Sequence, residues 1–180
     1  PFYDNDYSPE IFGYYDALSL REHYRWFKPS ARLSLSHTSN GLTDTLDRGM
    51  SRVMLTGEFG HASKTPVYGS ISFWANLTAS DHNRDISRYL GLGEIKVHYQ
   101  TDSIPYLSKV GASIATRFTY YAHVVPNFEI SLFCAPFSDN ESHSPWLPSF
   151  MVQYYQGTGE NLRAYKERVY NLRLGIAFLN

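Results

Sequence analysis

Leu33-Ser34-Leu35-Ser36-His37-Thr38-Ser39-Asn40-Gly41 is the stretch on which the reading of this chain turns. Taken as an extended strand, its side chains alternate between two faces. Leu33, Leu35, His37 and Ser39 fall on one face; Ser34, Ser36 and Thr38 fall on the other with Arg32. A general base and a hydroxyl therefore stand two residues apart on the apolar face. A soluble sheet buries its leucine face, and a His and a Ser are awkward there. In a membrane barrel the apolar face points at lipid. A His–Ser pair on that face makes sense where lipid is the substrate.

Outward from this strand the same rhythm recurs: a strand of about ten residues, then a turn. Strands are predicted over about Glu10 to Tyr24, Ala31 to Asn40, Met50 to Phe59 and Val67 to Leu77. Others end at Gln100 or cover Leu107 to Tyr120, Asn127 to Cys134, about Leu147 to Gln156, and Val169 to Leu179. In the third, Ser51, Val53, Leu55, Gly57 and Phe59 oppose Arg52, Met54, Thr56 and Glu58. The loops Gly41 to Arg48 and Ser80 to Asp85 are polar enough to be exposed tips.

Composition bounds the choice. The 180 residues fit one domain. The formal net charge is −1 and no basic block stands out, which argues against a nucleic-acid partner. The 15 Tyr and 11 Phe are ample for the aromatic girdles of a barrel. Mean hydropathy is negative, yet a barrel averages to such a value because lumen-facing residues alternate with lipid-facing ones. No apolar run reaches the roughly 18 residues of a membrane helix, so a membrane protein built from this chain is a β-barrel. The single cysteine, Cys134, allows no internal disulfide. The chain opens at Pro1 rather than Met, as a mature form or a fragment does. His23, His61, His82, His98, His123 and His143 show no metal-ligand spacing and read as surface or lumen residues. A soluble β-sandwich also alternates. Strand length and the contrast between short turns and long loops favour the barrel.

The stretch His37 to Gly41, with Asp47-Arg48 and Arg52 downstream, resembles the outer membrane phospholipase A family. Asp85-Ile86-Ser87-Arg88-Tyr89-Leu90-Gly91, Ile95-Lys96-Val97-His98-Tyr99 and Gln153 to Leu162 extend the likeness in the same order, as does the closing Arg173 to Asn180. The resemblance implies an all-β, antiparallel, twelve-stranded transmembrane barrel in a bacterial-type outer membrane. It also implies Ca²⁺ dependence, a homodimer when active, and hydrolysis of acyl esters of membrane phospholipids. It assigns His37 as base, Ser39 as nucleophile and the Gly41 N–H as an oxyanion donor. The Leu42 carbonyl and the Asp47 side chain match calcium-ligand positions; Asp47 stands where the family usually has a serine, and a carboxylate is a good hard ligand. Asp44 and Asp81, nearer the loop tips, stand as a second, looser metal site or as plain solvated carboxylates.

Three departures accompany the likeness. The family's third catalytic residue is an Asn that orients the histidine, and collinear counting puts Ser51 there. Ser51 shares the outward face with His37, so its hydroxyl can accept from the imidazole N–H. The strands number about nine, whereas bacterial single-chain barrels have an even number. Residues 1–180 therefore read as one barrel domain without its N-terminal strands, where a calcium-ligating serine of the partner subunit would lie. The chain also stops at Asn180, short of the aromatic terminus usual in such barrels. Ser51 and the absent strands motivate an alternative function: a catalytically weakened barrel with a structural or binding role.

Overall fold

A computed structural model describes residues 6–16, 29–60, 66–101, 107–118, 127–136, 148–160 and 162–178. Nine strands follow one another in chain order: β1 (Glu10–Asp16), β2 (Ser30–Ser39), β3 (Gly49–Phe59), β4 (Val67–Ala79), β5 (Gly93–Thr101), β6 (Leu107–Phe118), β7 (Asn127–Pro136), β8 (Pro148–Gly157) and β9 (Val169–Phe178). Each pairs antiparallel with the next in a single sheet. The described part of the first strand ends at Asp16, and the rest of its expected span, residues 17–24, lies outside the described residues. β4 runs two residues beyond the predicted Leu77, past an irregularity opposite Ser51.

The two faces of the sheet have opposite chemistry. Leu33, Leu35, Leu55, Phe73, Leu132, Val152, Leu172 and Leu174 are all exposed, Leu174 to 79%. On the opposite face Ser34 is 2% exposed, and Thr38, Thr56, Ser72, Ser113 and Ser131 are likewise buried. A sandwich would bury the leucines against a second sheet. Here one sheet buries its small polar residues, which requires it to curl so that this face lines an interior. So broad an apolar exterior far exceeds what a soluble monomer shows; it is the lipid-facing surface of a membrane barrel. Inside, opposite charges are paired: Arg117 Nε donates to Glu94 at 2.9 Å, and Arg173 pairs with Glu160.

One end of the sheet carries its own small core. Met50, Ile86, Leu90, Leu162 and Tyr165 cluster there, with Ala79 and Tyr89 packed against them. Ile86 and Leu90 belong to the β4–β5 loop, Leu162 and Tyr165 to the β8–β9 loop. Polar contacts lock the two loops together. Thr158 Oγ1 donates to the Tyr89 carbonyl at 2.9 Å. The Thr158 N–H donates to Asn127 Oδ1 at 2.7 Å, and Asn127 Nδ2 returns a bond to the Thr158 carbonyl at 2.6 Å. Two of the stretches that carry the family likeness thus meet in one structural cap. The cap also reaches the far edge of the sheet: Leu162 N–H donates to Asp6 Oδ2 at 3.2 Å, just ahead of β1. Asp85 completes it, accepting from Tyr165 Oη and lying 2.9 Å from Lys166 Nζ. Burial alone would raise the Asp85 carboxyl, but these bonds outweigh it and hold the group below the usual carboxylate range.

Candidate active site

The site lies where β2 ends and β3 begins, at the capped end of the sheet. The antiparallel register sets His37 opposite Ser51 and Ser39 opposite Gly49. Directly opposed residues point to the same face, so the exposed imidazole and the Ser51 side chain meet outside the barrel. His37 Nδ1 and Ser51 Oγ are 3.0 Å apart, within hydrogen-bond reach. The facing and the pairing expected of Ser51 are therefore both present in the structure.

Residues 7–9 run along the other side of β2 and hold it in place. Tyr7 N–H donates to the Ser39 carbonyl at 2.8 Å, Ser39 N–H to the Tyr7 carbonyl at 2.9 Å, and His37 N–H to the Pro9 carbonyl at 3.0 Å. His37 and Ser39 therefore sit on a strand that is bonded along both edges, a rigid mounting for both side chains.

Immediately after Ser39 the chain turns. Gly41 takes φ of +66°, a left-handed conformation that side chains other than glycine's strain to adopt. That turn aims the Gly41 N–H back at Ser39 Oγ, 3.2 Å away. The Tyr7 ring flanks this turn: a Cβ at Gly41 would lie in ordinary contact with it, at 3.4 Å, so backbone conformation rather than space calls for glycine here. An N–H so close to the serine oxygen is well placed for an oxyanion that forms on a carbon bonded to that oxygen.

Asn40, 4% exposed, is the clamp of the following loop. Its Oδ1 accepts from Arg48 N–H at 3.0 Å and Leu42 N–H at 3.4 Å, and its Nδ2 donates to the Leu46 carbonyl at 2.9 Å. Sequence reasoning passed over Asn40 as a functional residue, although it stood inside the quoted stretch. Tyr7 was missed for lack of any signal, because its relation to Gly41 is a matter of strand pairing alone.

The candidate metal ligands are distributed around this clamp. Leu42 and Asp47 are both half-buried in the loop. The Asp47 carbonyl accepts from Arg48 Nη1 at 2.7 Å and from Ser80 Oγ at 3.3 Å, which ties the loop to the β4–β5 connection. A carbonyl and a carboxylate are hard oxygen donors of the type Ca²⁺ prefers, but Ca²⁺ takes six to eight oxygens. Two donors fall short of that number, so a calcium site built on Leu42 and Asp47 would draw its other ligands from water or a second chain. Among the described residues no three His, Cys, Asp or Glu side chains gather into a metal cluster. Asp81 is engaged elsewhere: its Oδ1 accepts from Arg84 Nε and Nη2 at 3.1 and 2.5 Å. That hydrogen bonding holds the Asp81 carboxyl below its ordinary value. Asp44 opens the short 3₁₀ turn Asp44–Leu46, and its side chain lies outside the described part.

An antiparallel membrane-barrel sheet with a His–Ser pair on its lipid-facing rim defines a narrow class of protein. The sequence profile of the phospholipase A1 family matches residues 1–178, and the chain belongs to that family. Phospholipase A1 of Salmonella typhimurium is 27% identical over 104 residues, which are 55% of this chain and 32% of that protein. Phospholipase A1 of Salmonella typhi matches to the same extent. In the solved structures, the chain superposes on the calcium-bound dimer of the Salmonella typhi outer membrane phospholipase with a TM-score of 0.72 at 19% identity. It superposes on outer membrane phospholipase A of Escherichia coli with a TM-score of 0.74 at 18% identity. Both comparisons cover 98% of this chain and 61% of the other, so the barrel fold is shared throughout the chain. The chain spans about a third of the length of the curated relatives it matches.

Proposed function

We propose that this chain carries the hydrolytic site of a calcium-dependent phospholipase of the bacterial outer membrane, acting on acyl esters of membrane phospholipids. One observation carries the reading: His37 with Ser51, and Ser39 with the Gly41 N–H, form two hydrogen-bonded pairs two residues apart on the outward side of β2 and β3, the side that faces lipid.

Ser51 accepts from His37 Nδ1–H, which leaves the Nε2 lone pair free to take a proton. Ser39 Oγ attacks the ester carbonyl carbon and its proton passes to His37 Nε2. The negative charge that develops on the carbonyl oxygen is met by the Gly41 N–H. The intermediate collapses with cleavage of the ester C–O bond, and the proton on His37 goes to the departing lysophospholipid oxygen. Water, deprotonated by His37, then cleaves the acyl–Ser39 ester and releases the fatty acid, and the proton on His37 returns to Ser39 Oγ. Bound calcium, held by the Leu42 carbonyl and the Asp47 carboxylate, supplies further electrostatic stabilisation of negative charge at this site. Asp44 and Asp81 form the weaker candidates for a second ion. The calcium-bound dimer of the Salmonella typhi relative supports a homodimer as the active form here.

The test is fatty-acid release from phospholipid in detergent micelles, with calcium and with a chelator, for the purified protein and for Ser39→Ala. Calcium-dependent release that disappears in the variant is expected. Release that survives Ser39→Ala removes Ser39 as nucleophile. A folded wild-type protein that releases no fatty acid with calcium favours the second reading, a barrel weakened by its serine at position 51.

A further inference from the structure

β3 and β4 slip by one residue where Ser51 stands. Ser51 pairs with Thr78 and Arg52 with Asn76, so Leu77 between them has no partner of its own. This is a β-bulge, in which an extra residue on one strand re-aims its neighbour. In an unbroken register, Leu77 would lie opposite Ser51, and Thr78 would lie opposite Met50, a residue only 3% exposed. With the bulge, Leu77 and Thr78 are both exposed, and Thr78 stands beside Ser51 on the outer face. A row of positions therefore crosses the sheet at the height of the base: His37, then Ser51, then Thr78.

That row answers a difficulty inherent in a serine as orienter. A hydroxyl both donates and accepts. When Ser51 accepts from His37 Nδ1–H, the imidazole is in the tautomer that a base needs. When Ser51 donates to Nδ1, the proton sits on Nε2 and the base faces Ser39 with nothing to offer. An oxygen beside Ser51 that accepts its proton competes with Nδ1 for that proton and weights the pair toward the first arrangement. Thr78 offers one: directly opposed residues have Cβ atoms about 4.5–5.5 Å apart, so a χ1 rotation brings their hydroxyls together. At a lipid-bathed rim, where water is scarce, unpaired hydroxyls are costly and the pair gains by bonding.

We infer that Thr78 is a positioning residue of this site: its Oγ1 accepts the Ser51 proton and so biases Ser51 toward accepting from His37 Nδ1–H. The inference rests on the hydrolytic reading above and places Thr78 away from the reacting atoms.

The experiment measures phospholipid hydrolysis by the purified, calcium-loaded protein in mixed micelles. Thr78→Val keeps the β-branched shape and removes the oxygen. Its kcat should fall about three- to tenfold, the rate equivalent of one hydrogen bond, with KM unchanged within about twofold. Thr78→Ser should restore the wild-type rate. In a Ser51→Ala background, and equally in Ser51→Asn, Thr78→Val should cause no further loss, because nothing is left for Thr78 to bias. Wild-type kcat in Thr78→Val overturns the inference, as does an equal loss in the Ser51→Ala background, which marks a merely structural effect. Thr78→Ala serves in the same scheme where the valine variant does not fold. Ser39→Ala runs in parallel. Activity that persists in it, or an inactive wild type, overturns the hydrolytic reading and this inference together; loss of activity in it with Thr78→Val unaffected overturns only the role of Thr78.

Discussion

The two faces of β2 and β3 are made from the same two strands and do opposite work. Outside, Leu33, Leu35 and Leu55 lie exposed around His37, Ser39 and Ser51. Inside, Ser34, Thr38 and Thr56 are buried; Ser8 Oγ donates to Thr38 Oγ1 at 3.1 Å, and the Thr56 and Ser72 hydroxyls are 2.9 Å apart. In a soluble enzyme the reactive groups look into a polar cleft and the leucines hide. Here the polar groups hide and the reactive ones stand among leucines. The difference follows from the solvent and agrees with the proposed function: a site for a substrate dissolved in the bilayer has to face the bilayer.

The sharpest way to break this contrast is on the outer face. Ser39→Ala should lower turnover on the order of a thousandfold or more, as loss of a nucleophile does, while the barrel stays intact by circular dichroism. The same oxygen removed from the inner face, as Ser34→Ala, should leave turnover near wild type.

Stability should fall when either face is given the chemistry of the other. Leu35→Arg puts a charge against lipid and should destabilise the barrel in vesicles by up to about 2–4 kcal/mol, less if the position lies near the interface. Ser34→Leu, one residue away, overfills the interior and should cost about 1–3 kcal/mol. Equilibrium unfolding in denaturant reads both; a neutral Leu35→Arg would mean that this face is not in contact with lipid.

Asn40 tests whether the loop behind the site has to be held. Asn40→Ala leaves the Leu42 and Arg48 N–H groups and the Leu46 carbonyl without their shared partner. The apparent calcium affinity should fall about 10- to 100-fold, the effect of losing groups that orient ligands. A calcium titration of activity checks it. At Ser51, Ser51→Ala should lower turnover about threefold to tenfold, one hydrogen bond's worth. Ser51→Asn should raise it if the longer side chain fits, since an amide oxygen accepts without the ambiguity of a hydroxyl. Equal turnover in both would deny Ser51 an orienting role.

The smallest effect belongs to the cap. Asp85 has its carboxyl lowered by Tyr165 and Lys166 against the upward push of burial. A lowered carboxylate contributes stability that is present above its unfolded value of about 3.9 and is lost as pH falls through the folded value. Hydrogen-exchange protection of the described amides in residues 162–166, taken relative to the intrinsic rate at each pH, should therefore be high at neutral pH and fall in acid below that range. The outer-face strands should show no such change.

Much of this protein was legible in its alternation. The two-residue period of Leu33 to Ser39 already put His37 and Ser39 on the apolar face, and parity put Ser51 on the same side of the next strand. A strand's side-chain period is fixed by its backbone, so facing can be counted from the sequence. The loop between β2 and β3 was also visible, from its Gly and Asp residues.

What the tertiary structure alone decided depends on pairing between segments far apart in the chain. That Tyr7 flanks Gly41, and that the likeness in Asp85–Gly91 and in Gln153–Leu162 reflects one shared cap, are consequences of register and loop packing. The bulge that moves Thr78 beside Ser51 is the clearest case. Counting residues along β4 predicts an unbroken alternation, and a single extra residue, Leu77, shifts every position beyond it relative to β3. Period is a local property of one strand, whereas register is a property of two, and only the folded sheet specifies the second.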